Sequence, residues 1–290
     1  MQTQPSRQQL AIFTLGAMIV GFIIGNLFFG LISLDFSDVE AGLDPLELSG
    51  QRLRIGLFIS HFLTFAVPGF VVLYYFFRNR WWDAVNPLAF PGNNLSWVIL
   101  FTLVAIPLVG VSMWINLKIP LPDWAIQTED ETAALLEKVL NFNGLPDLAT
   151  ALLAVAVAAG VGEELIFRGI LQGRVFAEFN HHVAIWLSAA IFSLIHLELA
   201  GFLPRMLLGG ILGYVFHWSG SLLVPILIHL AFNGLQVIAA YVSGEFTPDT
   251  APVELPDWYI IAISLIGTLA IGYFLETRRV NELPPSPDGY

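Results

Sequence analysis

The stretch Gly160-Val161-Gly162-Glu163-Glu164-Leu165-Ile166-Phe167-Arg168-Gly169 constrains this chain more than any other. It sets three ionisable side chains inside an apolar run that begins at Ala149 and continues through Ile170-Leu171. One such group at the centre of a membrane helix costs ~2.5–3.5 kcal/mol on the insertion scale, so three within six positions require partners. A separation of four residues puts Glu164 and Arg168 on one helix face, about 40° apart in projection. Glu163 lies roughly 140° from Arg168 around an α-helix. It is the carboxylate without a local partner, and its explanation must come from elsewhere in the chain.

The surroundings make this a membrane problem. Of the 290 residues 56% are hydrophobic and 12% charged, with a mean hydropathy of +0.74, whereas water-soluble domains carry about 25% charged residues. Apolar runs near 20 residues long span a bilayer. Eight can be laid out, at roughly 10–34, 54–77, 96–116, 149–172, 183–200, 203–218, 221–241 and 258–275. The first is longer than the ~7–15-residue core of a secretory signal and reads as a retained span. The fold class is therefore an all-α integral membrane protein of about eight transmembrane helices. No cysteine is present, which removes disulfides and thiol chemistry, and a net charge of −11 argues against nucleic acid as a partner.

The loops sort by charge. Segment 35–51 carries Asp35, Asp38, Glu40, Asp44 and Glu47 with no base, 117–148 has six acids against Lys118 and Lys138, and 242–257 has four acids and no base. Arg7, Arg78, Arg80, Arg174, Arg278 and Arg279 fall on the alternate side. Positive charge marks the cytoplasmic side, so both termini are expected there, although Arg52 and Arg54 fall on the other side. Trp81-Trp82, Trp97, Trp218 and Trp258-Tyr259 lie near span ends, as an aromatic belt would. The 117–148 loop is expected to contain a surface helix starting with the capping-box pair Thr128 and Glu131. It would serve as an interfacial anchor or as a substrate lid. The tail at 284–289 reads as disordered.

Other polar residues stand inside spans. His61 alone in the second reads as a satisfied buried histidine; His181 and His182 after Asn180, and His217 beside Trp218, read as interfacial. Asn26 is unassigned, and Arg205 can snorkel. The set Glu163, His196, His229 and Asn233 differs, because each member is placed near mid-membrane and polar groups in hydrocarbon converge on the bundle interior. A carboxylate can take a proton from water, while imidazole and amide N–H groups stabilise an oxyanion. The same side chains can instead hold a divalent metal whose water is the nucleophile. No H-E-x-x-H is present to favour that reading.

At these residues the sequence resembles the type II CAAX prenyl protease family, known in prokaryotes as the CAAX protease and bacteriocin-processing (Abi) family. Its marks are E-E-x-x-x-R, F-x-x-x-H and H-x-x-x-N, here Glu163-Glu164 with Arg168, Phe192 with His196, and His229 with Asn233. Gly209-Gly210, Gly213, the turn Ser219-Gly220-Ser221-Leu222 and Pro225 are similar too. The resemblance covers roughly 149–241, a catalytic core of the eight-helix prenyl-protease fold. The expected divisions on either side are three N-terminal transmembrane helices with an amphipathic outer loop over 1–148, which match only as apolar helices, and a last helix and cytoplasmic tail at 242–290. The resemblance implies an intramembrane endopeptidase of a prokaryotic plasma membrane, acting on a membrane-associated peptide or protein. Carried over, Glu163 is the general base assisted by His196, His229 and Asn233 stabilise the oxyanion, and Glu164 with Arg168 form a structural ion pair. The family leaves the cofactor open between none and a divalent metal such as zinc, for which Glu163, His196 and His229 would be the ligands. Two other classes stay on the table, a non-catalytic membrane immunity or scaffold protein and an ion-coupled transporter.

Overall fold

A helix whose apolar face has no counterpart in the chain must find it in lipid, and two of the outermost helices do so most fully. The computed structural model describes residues 5–33, 50–80 and 94–278. Its long elements are α1 (Arg7–Ser33), α2 (Gly50–Phe77), α3 (Leu95–Asn116), α4 (Asp123–Val139), α5 (Leu145–Val175), α6 (His181–Leu194), α7 (Phe202–Ser219), α8 (Leu223–Ser243) and α9 (Trp258–Arg278). The described residues contain no strand. On α1 and α9, Ile12, Leu27, Ile263 and Leu269 are each more than 60% exposed within the protein. Such continuous apolar surface is a liability in water and ordinary in a bilayer.

Six helices are long and apolar enough to cross a membrane: α1, α2, α3, α5, α8 and α9. The eight expected spans are not all recovered. α6 has 14 residues, about 21 Å at 1.5 Å per residue against a hydrocarbon core near 30 Å. It ends at Leu194 because the chain turns at Leu197, which takes a left-handed φ of 59°. His196 therefore sits in the turn after α6, not inside a span as the hydropathy pattern predicts. The acidic segment at 35–49, Trp81-Trp82, Arg279 and the 284–289 tail lie outside the described residues.

α5 occupies the middle, against α1, α2, α6 and α8, while α7 bridges α6 to α3, and α9 closes the far side on α3. Two apolar cores result. One joins Phe65 and Leu73 of α2 to Ile166, Phe167 and Ile170 of α5 and Phe192 of α6. The other gathers Phe101 of α3, Val215 and Trp218 of α7 and Leu275 of α9. Trp218 is thus a core residue rather than part of an interfacial belt.

The surface helix of the third loop is α4, but it begins five residues before the expected capping box. Pro122 holds extended backbone at φ −69° and Asp123 supplies an acid in the first turn, both of which favour a helix start. Thr128 lies within the helix, where its hydroxyl donates to the Trp124 carbonyl. α4 is tied down by Glu129, which is 5% exposed and accepts the Ala200 N–H at 2.7 Å. Burial pushes the Glu129 carboxyl above its usual range, against the charge-favouring Ala200 N–H. This bond fixes the segment just beyond His196. Arg205, expected to snorkel, instead pairs with the carboxylate and carbonyl of Glu198 and reaches Asp249 at 3.7 Å.

Arg54, at the start of α2, is 1% exposed. It contacts Asp147 at 2.6 Å, Thr150 Oγ1 at 3.2 Å, and the carbonyls of Val139 and Asn141 at 3.1 and 3.2 Å. Its charge is engaged within the protein, which explains why it departs from the loop-charge pattern. Arg54→Ala would strand Asp147 and two carbonyls. Losing one partner of a buried pair costs ~3–5 kcal/mol, a fall in Tm of roughly 10 °C for a chain of this size. An unchanged melting curve in detergent would show that this clamp is idle.

Candidate active site

The site grows out of how closely α5 approaches its neighbours. A Cβ at Gly162 would come within 2.9 Å of the Phe65 Cβ and 3.0 Å of the Ala66 nitrogen on α2, and one at Gly160 within 3.3 Å of backbone atoms of Ile226 and Leu230 on α8. Glycine at these two positions lets three helices meet at Glu163. The backbone is unusual there too. α5 widens into π-helix over Leu152–Val157 and Leu165–Val175, and α2 over Phe62–Ala66. Such wide turns cluster at functional sites.

Glu163 is 2% exposed and meets three imidazoles from three other segments. His61 Nε2 of α2 lies 3.0 Å from Oε1, His196 Nε2 lies 3.9 Å from Oε1, and His229 Nε2 of α8 lies 3.8 Å from Oε2. The His61 contact is close but poorly aligned for a hydrogen bond. The side chains of His61 and His196 are 21% and 25% exposed, that of His229 only 3%. A buried carboxylate therefore has an open rim made of two histidines.

The tautomers are set by the far nitrogens. His196 Nδ1 lies 2.8 Å from the Phe192 carbonyl, and His229 Nδ1 lies 2.8 Å from Glu164 Oε1. Both partners only accept, so both Nδ1 atoms carry the proton and both Nε2 atoms face Glu163. Glu164 Oε1 also accepts from Arg168 Nη1 at 2.7 Å. Arg168 Nη2 donates to the Gly209 carbonyl at 2.8 Å, and its guanidinium lies over the Phe192 ring, 5.3 Å from the centroid. Glu164 is thus more than half of an ion pair, because the oxygen that holds Arg168 also orients His229.

Asn233 stands apart. Its Nδ2 donates to the Val155 carbonyl at 3.1 Å, which secures α8 to α5 two turns before Glu163 and leaves one N–H of the amide uncommitted. His61 is the member that sequence reasoning missed. One isolated histidine carries no spacing signal, and only its position in a span pointed to a role.

For a metal, Glu163, His196 and His229 have suitable donor chemistry. His196 Nε2 and His229 Nε2 stand 3.9 and 3.8 Å from different oxygens of the Glu163 carboxylate. A tetrahedral ion holds its ligands about 3.3 Å apart. The set as arranged is about half an ångström wider than that.

Residues 145–235 match the sequence profile of the family described as type II CAAX prenyl endopeptidase Rce1-like. The uncharacterized protein YpbD of Bacillus subtilis (strain 168) is 25% identical over 103 residues, covering 34% of this chain. The match spans about half of that relative, 48% of its length. No solved structure matches the chain. The matched stretch holds Glu163, Glu164, Arg168, His196, His229 and Asn233, and over it this membrane protein is similar to the type II CAAX prenyl endopeptidases of the Rce1-like family.

Proposed function

We propose that this protein is an intramembrane endopeptidase that hydrolyses a peptide bond of a membrane-associated peptide or protein with water activated by Glu163. The observation that carries the reading is the buried Glu163 carboxylate ringed by the Nε2 atoms of His61, His196 and His229 within 3.9 Å. Water admitted past the exposed rim of His61 and His196 attacks the scissile carbonyl carbon as its proton passes to Glu163. The carbonyl π electrons move to oxygen. The C–N bond then breaks and the proton returns from Glu163 to the leaving amine. His229 and the free N–H of Asn233 are the donors for the oxyanion. To donate through Nε2, His229 acts as an imidazolium whose Nδ1–H is held by the Glu164 carboxylate, as an orienting carboxylate holds the histidine of a hydrolytic triad.

The test uses purified protein reconstituted in vesicles with a library of membrane-anchored peptides, with and without chelator, and mass spectrometry of the products. Cleavage by wild type and none by Glu163→Ala is expected; absence of any Glu163-dependent product would sink the proposal. His61→Ala is expected to lower kcat by about 10²-fold, the lower end for acid–base assistance, with KM kept. An unchanged kcat would reduce His61 to a packing partner of Phe65, whose ring lies 4.6 Å away.

The proposed orientation puts both termini in the cytoplasm of a prokaryotic cell, with the protein in its plasma membrane, on the charge asymmetry of the loops. Reporter fusions should place 117–148 outside, and a cytoplasmic signal from that loop would reverse the orientation.

A further inference from the structure

Three side chains that the hydrolytic reading does not use converge on the turn that carries His196. The turn is closed by Ser193 Oγ, which donates to the Phe202 carbonyl at 2.7 Å, and it bends at Leu197, whose φ is 59°. A bulky residue in that left-handed region is strained and persists only where its surroundings over-determine it. Here they do. Asn116, buried at the end of α3, donates to the Leu199 carbonyl and accepts the Leu203 N–H, both at 2.8 Å. Arg205 holds the Glu198 carbonyl, and the buried Glu129 of α4 accepts the Ala200 N–H at 2.7 Å.

The other end of α4 is fixed to the helix that carries His61. Arg54 Nη1 donates to the Val139 carbonyl at 3.1 Å, and a Cβ at Gly50 would stand 3.0 Å from the Lys138 carbonyl oxygen. A separation of seven residues, about two turns, puts Arg54 and His61 on one face of α2. From Glu129 to Val139 the helix is a rod of about 15 Å at 1.5 Å per residue. It joins the element bearing one rim histidine to the element bearing the other. His61 and His196 face the same oxygen, Glu163 Oε1, at 3.0 and 3.9 Å, so their separation decides what reaches that oxygen. We propose that α4 is a crossbar that sets the width of this rim, with Glu129 as the residue through which it positions His196.

The effect on rate rests on the hydrolytic reading of Glu163; the crossbar itself does not. A helix pinned at both ends maintains a distance instead of swinging open as a lid. The pin at Ala200 needs an acceptor of the right length rather than a charge, so glutamine can serve in place of Glu129 and alanine cannot. Losing the acceptor leaves a buried N–H unpaired and lets Leu197 relax towards ordinary backbone. His196 directly precedes Leu197, so its Nε2 shifts with that relaxation while the Phe192 carbonyl still holds Nδ1.

The experiment compares wild type, Glu129→Ala, Glu129→Gln and Ser264→Ala in the reconstituted full chain. Ser264→Ala deletes a buried interhelical bond on the far side, from Ser264 Oγ to the Val104 carbonyl at 2.5 Å, and controls for stability alone. The chain has no cysteine, so nitroxides on Ile55→Cys of α2 and Leu197→Cys of the turn, both exposed, report the rim width by electron paramagnetic resonance without any substrate. One narrow distance is expected in wild type, Glu129→Gln and Ser264→Ala, and a broadened or shifted one in Glu129→Ala. Kinetics use the cysteine-free chain and a peptide that the wild type cleaves. Glu129→Ala is expected to lower kcat by about 10²-fold, the scale of a misplacement of about 1 Å, with KM kept, and Glu129→Gln and Ser264→Ala to keep the wild-type rate. Should Glu129→Ala fail to fold, Glu129→Asp, one methylene too short for Ala200, reads the same two effects. A distance unchanged on loss of the Glu129 acceptor would overturn the crossbar, and so would an altered distance with an unchanged kcat. If no variant cleaves any peptide, the hydrolytic reading fails, and the distance still decides whether α4 sets the rim.

Discussion

Glu163→Gln is expected to give a protein that folds, melts like wild type and cleaves nothing. The amide has the volume of the carboxylate and can still face His61, His196 and His229, so packing around α5 is kept. It cannot accept the proton from the attacking water. A positioned general base contributes about 10²–10⁴-fold, and here no second carboxylate can replace it, because Glu164 is held by Arg168 and His229. The expected loss is about 10⁴-fold in kcat, with substrate capture intact. Initial rates measured beside melting curves check this. A well-folded and fully active Glu163→Gln protein would end the hypothesis of a glutamate base.

Arg168→Ala is expected to fail differently, as loss of the fold rather than of one step. Arg168 is 1% exposed, and its guanidinium ties Glu164 to the Gly209 carbonyl of α7. Truncation leaves an ionised carboxylate in the bundle interior and a carbonyl without its donor. Breaking a buried pair this way costs ~3–5 kcal/mol, a large part of the ~5–15 kcal/mol that stabilises most proteins. Poor expression, or a Tm lower by roughly 10 °C or more, is the expected outcome. Replacing both partners with apolar groups can be nearly neutral for folding. Glu164→Met/Arg168→Met should therefore recover much of the stability while staying slow, since His229 has lost the carboxylate at Nδ1. A stable but inactive Arg168→Ala would show that the arginine acts in the chemistry itself.

What could be read from the sequence was what adjacent residues determine. The contact between Glu164 and Arg168 comes from a spacing of four on a helix, and the helical membrane architecture comes from the apolar runs. The misreadings share a cause. His61 reads as solitary because its neighbour Glu163 stands on a different helix, far along the chain, and no spacing rule reaches that distance. His196 reads as part of a span because hydropathy stays high through Ile195, whereas the helix ends where Leu197 turns the backbone. Arg205 reads as interfacial because its acids, Glu198 and Asp249, become neighbours only after α6, α7 and the loop beyond α8 have packed. Thr128 and Glu131 have the right spacing for a cap, but Pro122 and Asp123 start the helix first.

The two wide segments of α5 bear on how this chain can change in length. A π turn holds one residue more than an α turn closes around, so each is a place where a residue can be gained or lost without breaking the helix. Between them, Ala158–Glu164 is a seven-residue stretch of ordinary α-helix that carries both carboxylates. A deletion within Leu152–Val157 could be absorbed by the slack already there. One within Ala158–Glu164 would rotate one half of the helix against the other by about 100° and turn Glu163 away from its histidines. Length variation among relatives should therefore collect in the wide turns and spare the stretch between them, so that gaps in an alignment mark the insulation of the site as clearly as its matches mark the site.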